Sequence, residues 1–169
     1  MKEPNIRLRA LELEDLDFLY HIENDDRLWE LGVSNVPYSR RVLLDYITSA
    51  SADIYVDNQV RLIVENEQNE QVGILDLTEF DPRHHRAELG IVIKKEFQGQ
   101  GYAKASVSRL LQYARNILHL QQIYAIVGIR NQKAAKMLQS VGFEGNNVLK
   151  QWLCGPVGYE DAMFFQYFL

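Results

Sequence analysis

Cysteine is almost missing from this chain: Cys154 stands alone among 169 residues. No intrachain disulfide can form, and a zinc site of finger type, which needs several Cys or His at short spacing, is excluded. The four histidines, His21, His84, His85 and His119, show no ligand spacing on a helix, so no metal is expected. No apolar run approaches the length of a membrane span, and Met1-Lys2-Glu3-Pro4 opens no apolar signal segment. The chain is therefore expected to be soluble and cytoplasmic, with no membrane partner. Positive charge is in deficit, with a formal net charge of −5, which argues against a nucleic-acid partner and its basic face. Linkers, internal repeats and low-complexity stretches are also absent.

What is present is core material. An apolar fraction of 47% with 11% aromatics supports one domain spanning residues 1–169. Ile6 to Leu11 alternates like a half-buried strand, and a helix is expected over about Leu13–Asn24, with acids in its first turn. Residues 28–38 read as a loop, and Arg40 to about Ser49 as a helix. Val60–Glu65 and Gln71–Phe80 form a hairpin around a polar turn, and Ala87–Lys94 carries the apolar run of a central strand. Tyr102–Leu118 has the clearest helical periodicity, with Ala103, Val107, Leu110, Leu111, Ala114 and Ile117 on one side. Ile123–Ile129 is a second central strand. Asn131–Val141 follows as a helix with Asn131 as N-cap and Gly142 as its stop, then strands near Asn147–Cys154 and Tyr159–Phe168. Antiparallel hairpins around a strand–helix–strand unit imply an α/β (α+β mixed) fold.

The run Gln98-Gly99-Gln100-Gly101-Tyr102-Ala103 lies between a buried strand and the clearest helix. Glycines there let the backbone turn sharply and approach a ligand, and the free N–H groups of the helix start favour an anion, most naturally a phosphate. A dinucleotide-binding fingerprint would need a third glycine where Lys104 stands, and the P-loop spacing is absent too. Glycine spacing alone is shared by an ordinary tight turn ahead of a helix.

The same run resembles the acyl-CoA pyrophosphate loop of the GCN5-related N-acetyltransferase superfamily, Arg/Gln-x-x-Gly-x-Gly/Ala, matched by Gln98, Gly101 and Ala103. Asn131-Gln132-Lys133-Ala134 is similar to that family's Asn-x-x-Ala/Ser helix start, and Val141-Gly142-Phe143 to its Gly-Phe signature. The resemblance implies a single domain whose mixed, mostly antiparallel sheet splays between the strands at 87–94 and 123–129, with helices on both faces. It implies acetyl-CoA as cosubstrate, with Gln98, Gly99, Gln100, Gly101, Tyr102 and Ala103 on its pyrophosphate. Ile91, Val92 and Ile93 would pair with the pantetheine arm like another strand, and Asn131 would hydrogen-bond it. Lys133, Lys136 and Lys104 would meet phosphates, although lysines on a helix are as readily a solvated face.

Acetyl transfer to an amine needs a base, a polarised thioester carbonyl and a proton for the leaving sulfur. Glu88, on the strand beside the proposed cofactor site, is the candidate base; an ion pair with Arg86 or a lysine is the alternative role. Backbone N–H groups at Val92 or Ile93 would polarise the carbonyl. Many family members carry a tyrosine acid seven residues after the asparagine, where this chain has Leu138. Tyr159, Cys154 and Ser140 are the candidate replacements, Tyr159 foremost.

In overall pattern the chain is similar to bacterial spermidine N-acetyltransferases, in Ala87–Ile93, Ile117–Leu120 and Gly158–Asp161. A cationic amine such as a polyamine is the implied acceptor. Missing tyrosine is closer to Rim-type N-terminal acetyltransferases, so a protein or peptide N-terminus is the alternative, and a non-catalytic acyl-CoA sensor the next. Residues 12–30 hold eight acids against one basic residue, Arg27, which would attract a cation if not simply solvated. Trp29, Glu30, Tyr38 and Trp152 are the expected acceptor-side residues. The apolar last strand suits a buried position or a homo-oligomer contact equally.

Overall fold

The computed structural model describes residues 3–29, 36–51, 53–155 and 157–169, with Trp29 and Asn146 as backbone only. Seven strands form one sheet: β1 (Ile6–Ala10), β2 (Val60–Asn66), β3 (Gln71–Asp81), β4 (Arg86–Ile93), β5 (Gln122–Gly128), β6 (Glu144–Gly155) and β7 (Gly158–Phe168), in the order β1-β2-β3-β4-β5-β7-β6. Neighbours are antiparallel except β4 and β5. The helices are α1 (Leu16–Glu23), α2 (Asp26–Trp29), α3 (Arg40–Ser49), α4 (Ile54–Asp57), α5 (Tyr102–Asn116) and α6 (Gln132–Val141). Among the described residues no helix is long and apolar enough to cross a membrane.

Two apolar clusters cover the sheet from opposite sides. Leu75, Leu77, Ala87, Leu89, Ile123 and Ala125 pack with Val107, Leu110 and Leu111 of α5 and Leu138 of α6. Ile63 and Ile74 pack with Phe18 and Leu19 of α1 and Leu43 and Ile47 of α3. Alternation along the strands produces this division, because successive side chains leave a strand on opposite faces. A register shift between Val64 and Glu65 lets Val72 join the α5 side although Ile74 joins the other.

Local chemistry sets several ends. The Ser39 hydroxyl accepts from Val42 N–H at 3.2 Å and starts α3 at Arg40. Gly142, at φ 108, ends α6 in the left-handed conformation that glycine takes without a Cβ penalty. Two expectations change. The first helix opens as a 3-10 turn, Leu13–Asp15, before α1, and the expected loop of residues 28–38 begins inside α2. Helices of four residues such as α2 and α4 are too short to show periodicity.

Candidate active site

β4 and β5 pair over three positions only: Arg86↔Gln122, Ala87↔Ile123 and Glu88↔Tyr124. Beyond them β4 continues against β3 as far as Ile93, and β5 continues against β7 as far as Gly128. The two strands therefore part at Glu88 and Tyr124, and the β4 backbone through Ile91, Val92 and Ile93 borders the gap. Unpaired peptide groups along such an edge can take an extended ligand as a further strand.

At the far end of β4 the chain turns into α5. Gly99 (φ 76) and Gly101 (φ 90) both adopt left-handed backbone, and Gly101 is the N-cap with no capping side chain. The first α5 hydrogen bond runs from Ala105 N–H to Gly101 O at 3.0 Å, so the N–H groups of Tyr102, Ala103 and Lys104 lack helical partners. Gln98 Nε2 donates to Ile93 O at 2.9 Å and Gln100 Nε2 to Glu96 O at 2.7 Å. Both glutamine side chains brace the turn, which leaves anion contacts to the backbone. A Cβ at Gly101 would also press on Pro4 Cδ at 3.1 Å. Phe97 packs edge-on against Tyr102, with ring centroids 5.6 Å apart.

Asn131 Oδ1 accepts from Ala134 N–H at 3.1 Å and caps α6, which leaves its Nδ2 donor for a cofactor arm. Lys104, Lys133 and Lys136 are exposed and make no ion pair among the described residues.

Glu88 lies on the α1/α3 side of the sheet, level with Thr78 and two positions from Gly90, which faces Asp76. It is half-buried and has no hydrogen bond or ion pair among the described residues. Arg86, its sequence-level alternative partner, pairs with Asp81 at 3.1 Å instead. Burial, and then the Glu79 carboxylate, push the Glu88 pKa up. Tyr124, which no motif in the sequence marks, stands directly across the fork. Its ring stacks on Phe164 (centroids 5.3 Å apart, planes at 21°). Only the register of two strands distant in sequence identifies it.

A shallow groove of about 340 Å³ runs from Arg86, Gln122 and Tyr124 across Phe164 to Leu149 and Trp152. Trp152 thus stands on the fork's own side of the sheet, 56% exposed. Tyr38 is on this side too, but it packs into the α1/α3 cluster and does not line the groove, and its backbone is held by Asn24. Glu30 lies outside the described residues, as does the Trp29 side chain. Half of the acidic stretch is paired: Asp15, Asp17, Glu23 and Asp25 meet Arg9, Arg40, Arg61 and Arg27.

The candidate acids are not brought to the fork. Tyr159 is 71% exposed beside the β6–β7 turn. It sits on β7 roughly 20 Å, at the rise of an extended strand, from Gln166, the register partner of Tyr124. Cys154 is its exposed cross-strand neighbour, and Ser140 donates to Met137 O on α6. Leu138 is core, 2% exposed.

Comparison with known proteins agrees with this geometry. The profile of the family described as "Acetyltransferase (GNAT) domain" matches residues 5–144. A spermidine N(1)-acetyltransferase of Vibrio cholerae is 32% identical over 159 residues, covering 93% of this chain and 89% of its own. A crystal structure of spermidine N-acetyltransferase from Vibrio cholerae in complex with CoA and spermine superposes with a TM-score of 0.87 at 30% identity, covering 96% of this chain and 95% of that one. A dodecameric structure of the Vibrio cholerae enzyme gives 0.82 at 30% identity, covering 96% and 93%.

Proposed function

This chain belongs to the acetyltransferase (GNAT) domain family, and from that premise we propose that it moves the acetyl group of acetyl-CoA to a primary amine of a polyamine, with Glu88 as the base. The observation that carries the reading is the fork. Paired strands part at an unpartnered carboxylate, and one of them leads to a glycine-lined, uncapped helix start.

The pyrophosphate rests on the backbone of Gln98–Ala103, where convergent N–H groups and the helix dipole favour negative charge. Lys104, Lys133 and Lys136 add long-range attraction. The arm runs along Ile91–Ile93 toward the fork, with Asn131 Nδ2 on its other side, and the β4 N–H groups polarise the thioester carbonyl. Glu88 takes the proton of the attacking amine, directly or through water. A carboxylate whose pKa is raised by burial does this better than an exposed one, because it holds the proton more tightly.

A polyamine acceptor is supported by what the relatives are named for. It is also supported by the aromatic groove beside Glu88, where Tyr124, Phe164 and Trp152 suit methylenes and ammonium groups alike. A cytoplasmic location follows from that acceptor. A homo-oligomer is supported by the relative's dodecamer and by Phe168, 60% exposed on β7.

The test is acetyl-CoA binding by calorimetry together with CoASH release in the presence of spermidine, spermine and a peptide panel. Release with the polyamines upholds the reading. Release with peptides alone would transfer the acceptor to a protein N-terminus, and binding without release to any amine would make the domain a sensor. Gly101→Val should abolish binding, since φ 90 admits no β-branched residue without strain.

A further inference from the structure

Aminolysis of a thioester expels a thiolate, and a proton has to reach it. The groups expected for that task lie elsewhere: Leu138 is in the core, Ser140 is bonded along its own helix, and Tyr159 and Cys154 are exposed at the far turn. Tyr46, another phenol on this side whose pKa is raised, mainly by burial, has Arg61, Asp76 and Glu23 as its charged neighbours, which places it over β2 and β3.

We propose that Tyr124 is the proton donor to the leaving sulfur, and that Tyr124 and Glu88 form one proton circuit across the fork. The proposal rests on Glu88 being the base, as above. Tyr124 and Glu88 are register partners on adjacent parallel strands, so their side chains leave the sheet on the same face, at the point where the strands part. Stacking on Phe164 fixes the ring, and the phenol oxygen has no hydrogen bond among the described residues, so its proton is free for a ligand. The titratable and charged groups facing it are Glu88 and Arg86 from β4, with Glu79 and Asp81 from the end of β3; Phe164 and Gln166 on β7 are uncharged.

The steps balance. The amine nitrogen attacks the thioester carbon and its N–H proton passes to the Glu88 carboxylate. The C–S bond breaks, and the Tyr124 O–H proton goes to sulfur. Glu88, now a neutral acid, returns its proton to the phenolate. One C–N bond has formed, one C–S bond has broken, and both side chains end as they began. The order has an electrostatic reason. Burial and the Glu88 charge raise the phenol's pKa, so Tyr124 keeps its proton while Glu88 is ionised. Neutralising Glu88 removes that opposition as the thiolate departs.

Tyr124→Phe keeps the ring on Phe164 and deletes only the oxygen. With whichever amine the wild type turns over, kcat should fall about 10²–10⁴-fold, with acetyl-CoA affinity unchanged by calorimetry. A second readout needs no turnover. The ultraviolet tyrosinate titration of the wild type minus that of Tyr124→Phe isolates this phenol. It should titrate above about 10 and move down when the same difference is taken in a Glu88→Gln background. Wild-type kcat in Tyr124→Phe overturns the donor role. A titration unmoved by Glu88→Gln overturns the circuit. A wild type silent toward every amine would instead defeat the acetyl-transfer reading, and the titration would still decide the Glu88–Tyr124 pair.

Discussion

Carboxylates at two places against the same sheet are treated in opposite ways. At the β1–β2 edge Asp15 is 1% exposed and fully partnered: Arg9 reaches it at 2.6 and 2.7 Å, Gln71 Nε2 at 2.5 Å and Glu12 N–H at 2.8 Å. Glu65 beside it accepts from Arg9 and Arg7, each as close as 2.5 Å. Burial opposes ionisation at both, but the donors outweigh it and hold both pKa values below the usual range. At the fork Glu88 is half-buried without a donor, and its pKa goes the other way. Partnered charges lock β1, the 3-10 turn and β3 together. A charge left without a partner is held ready to take a proton. Burial alone separates nothing here; the donor count does.

The comparison can be broken hardest at Arg9. Arg9→Ala leaves two buried carboxylates short of a counter-ion and should destabilise the fold by about 3–5 kcal/mol, read by urea unfolding. Glu88→Gln should do the converse. kcat/KM falls about 10²–10⁴-fold, while unfolding stability is unchanged or higher, because an unpartnered charge has been removed; a marked loss of stability would show a hidden structural partner.

pH sharpens the contrast by sign. Asp15 and Glu65 have depressed native pKa values, so their contribution is present above the unfolded values near 4 and is lost as pH falls through the lower native ones. Glu88 has a raised native pKa, so it opposes folding in full above that value, and the penalty fades as pH falls from there toward the unfolded value near 4. The stability gap between Glu88→Gln and wild type should therefore close on acidification, in chemical denaturation followed across pH. Activity should fall over that window, as the base becomes protonated. The smallest effect is expected at Gln71→Ala, about 1.5–3 kcal/mol for one hydrogen bond to a charged acceptor, with activity retained.

Much of this was legible in residue order, for particular reasons. α3 and α6 carry their own punctuation in Ser39, Asn131 and Gly142, so their limits follow from capping chemistry. The turn into α5 was legible from two closely spaced glycines, both of which prove left-handed. Tyr124 was not legible, because its significance comes from lying opposite Glu88 in a parallel pair whose strands are separated by all of α5. Tyr159 was placed by likeness of segment, which carries no distance. The acids of residues 12–30 looked like a charged wall because their arginine partners Arg9, Arg40 and Arg61 lie outside that stretch.

The placement of β7 between β5 and β6 has a consequence for how the chain comes to work. During synthesis β5 emerges well before the strand that will flank it, and β6 appears first but cannot take that place. Until β7 inserts, β5 offers an open edge, Phe164 is not yet under Tyr124, and the acceptor groove has no floor. The anion loop, α5 and Asn131 all precede β7, and α5 packs on β1, β3 and β4, which are made before it. A nascent chain would thus acquire the means to hold a cofactor before the means to use it, and maturation of activity would wait on a single late strand insertion.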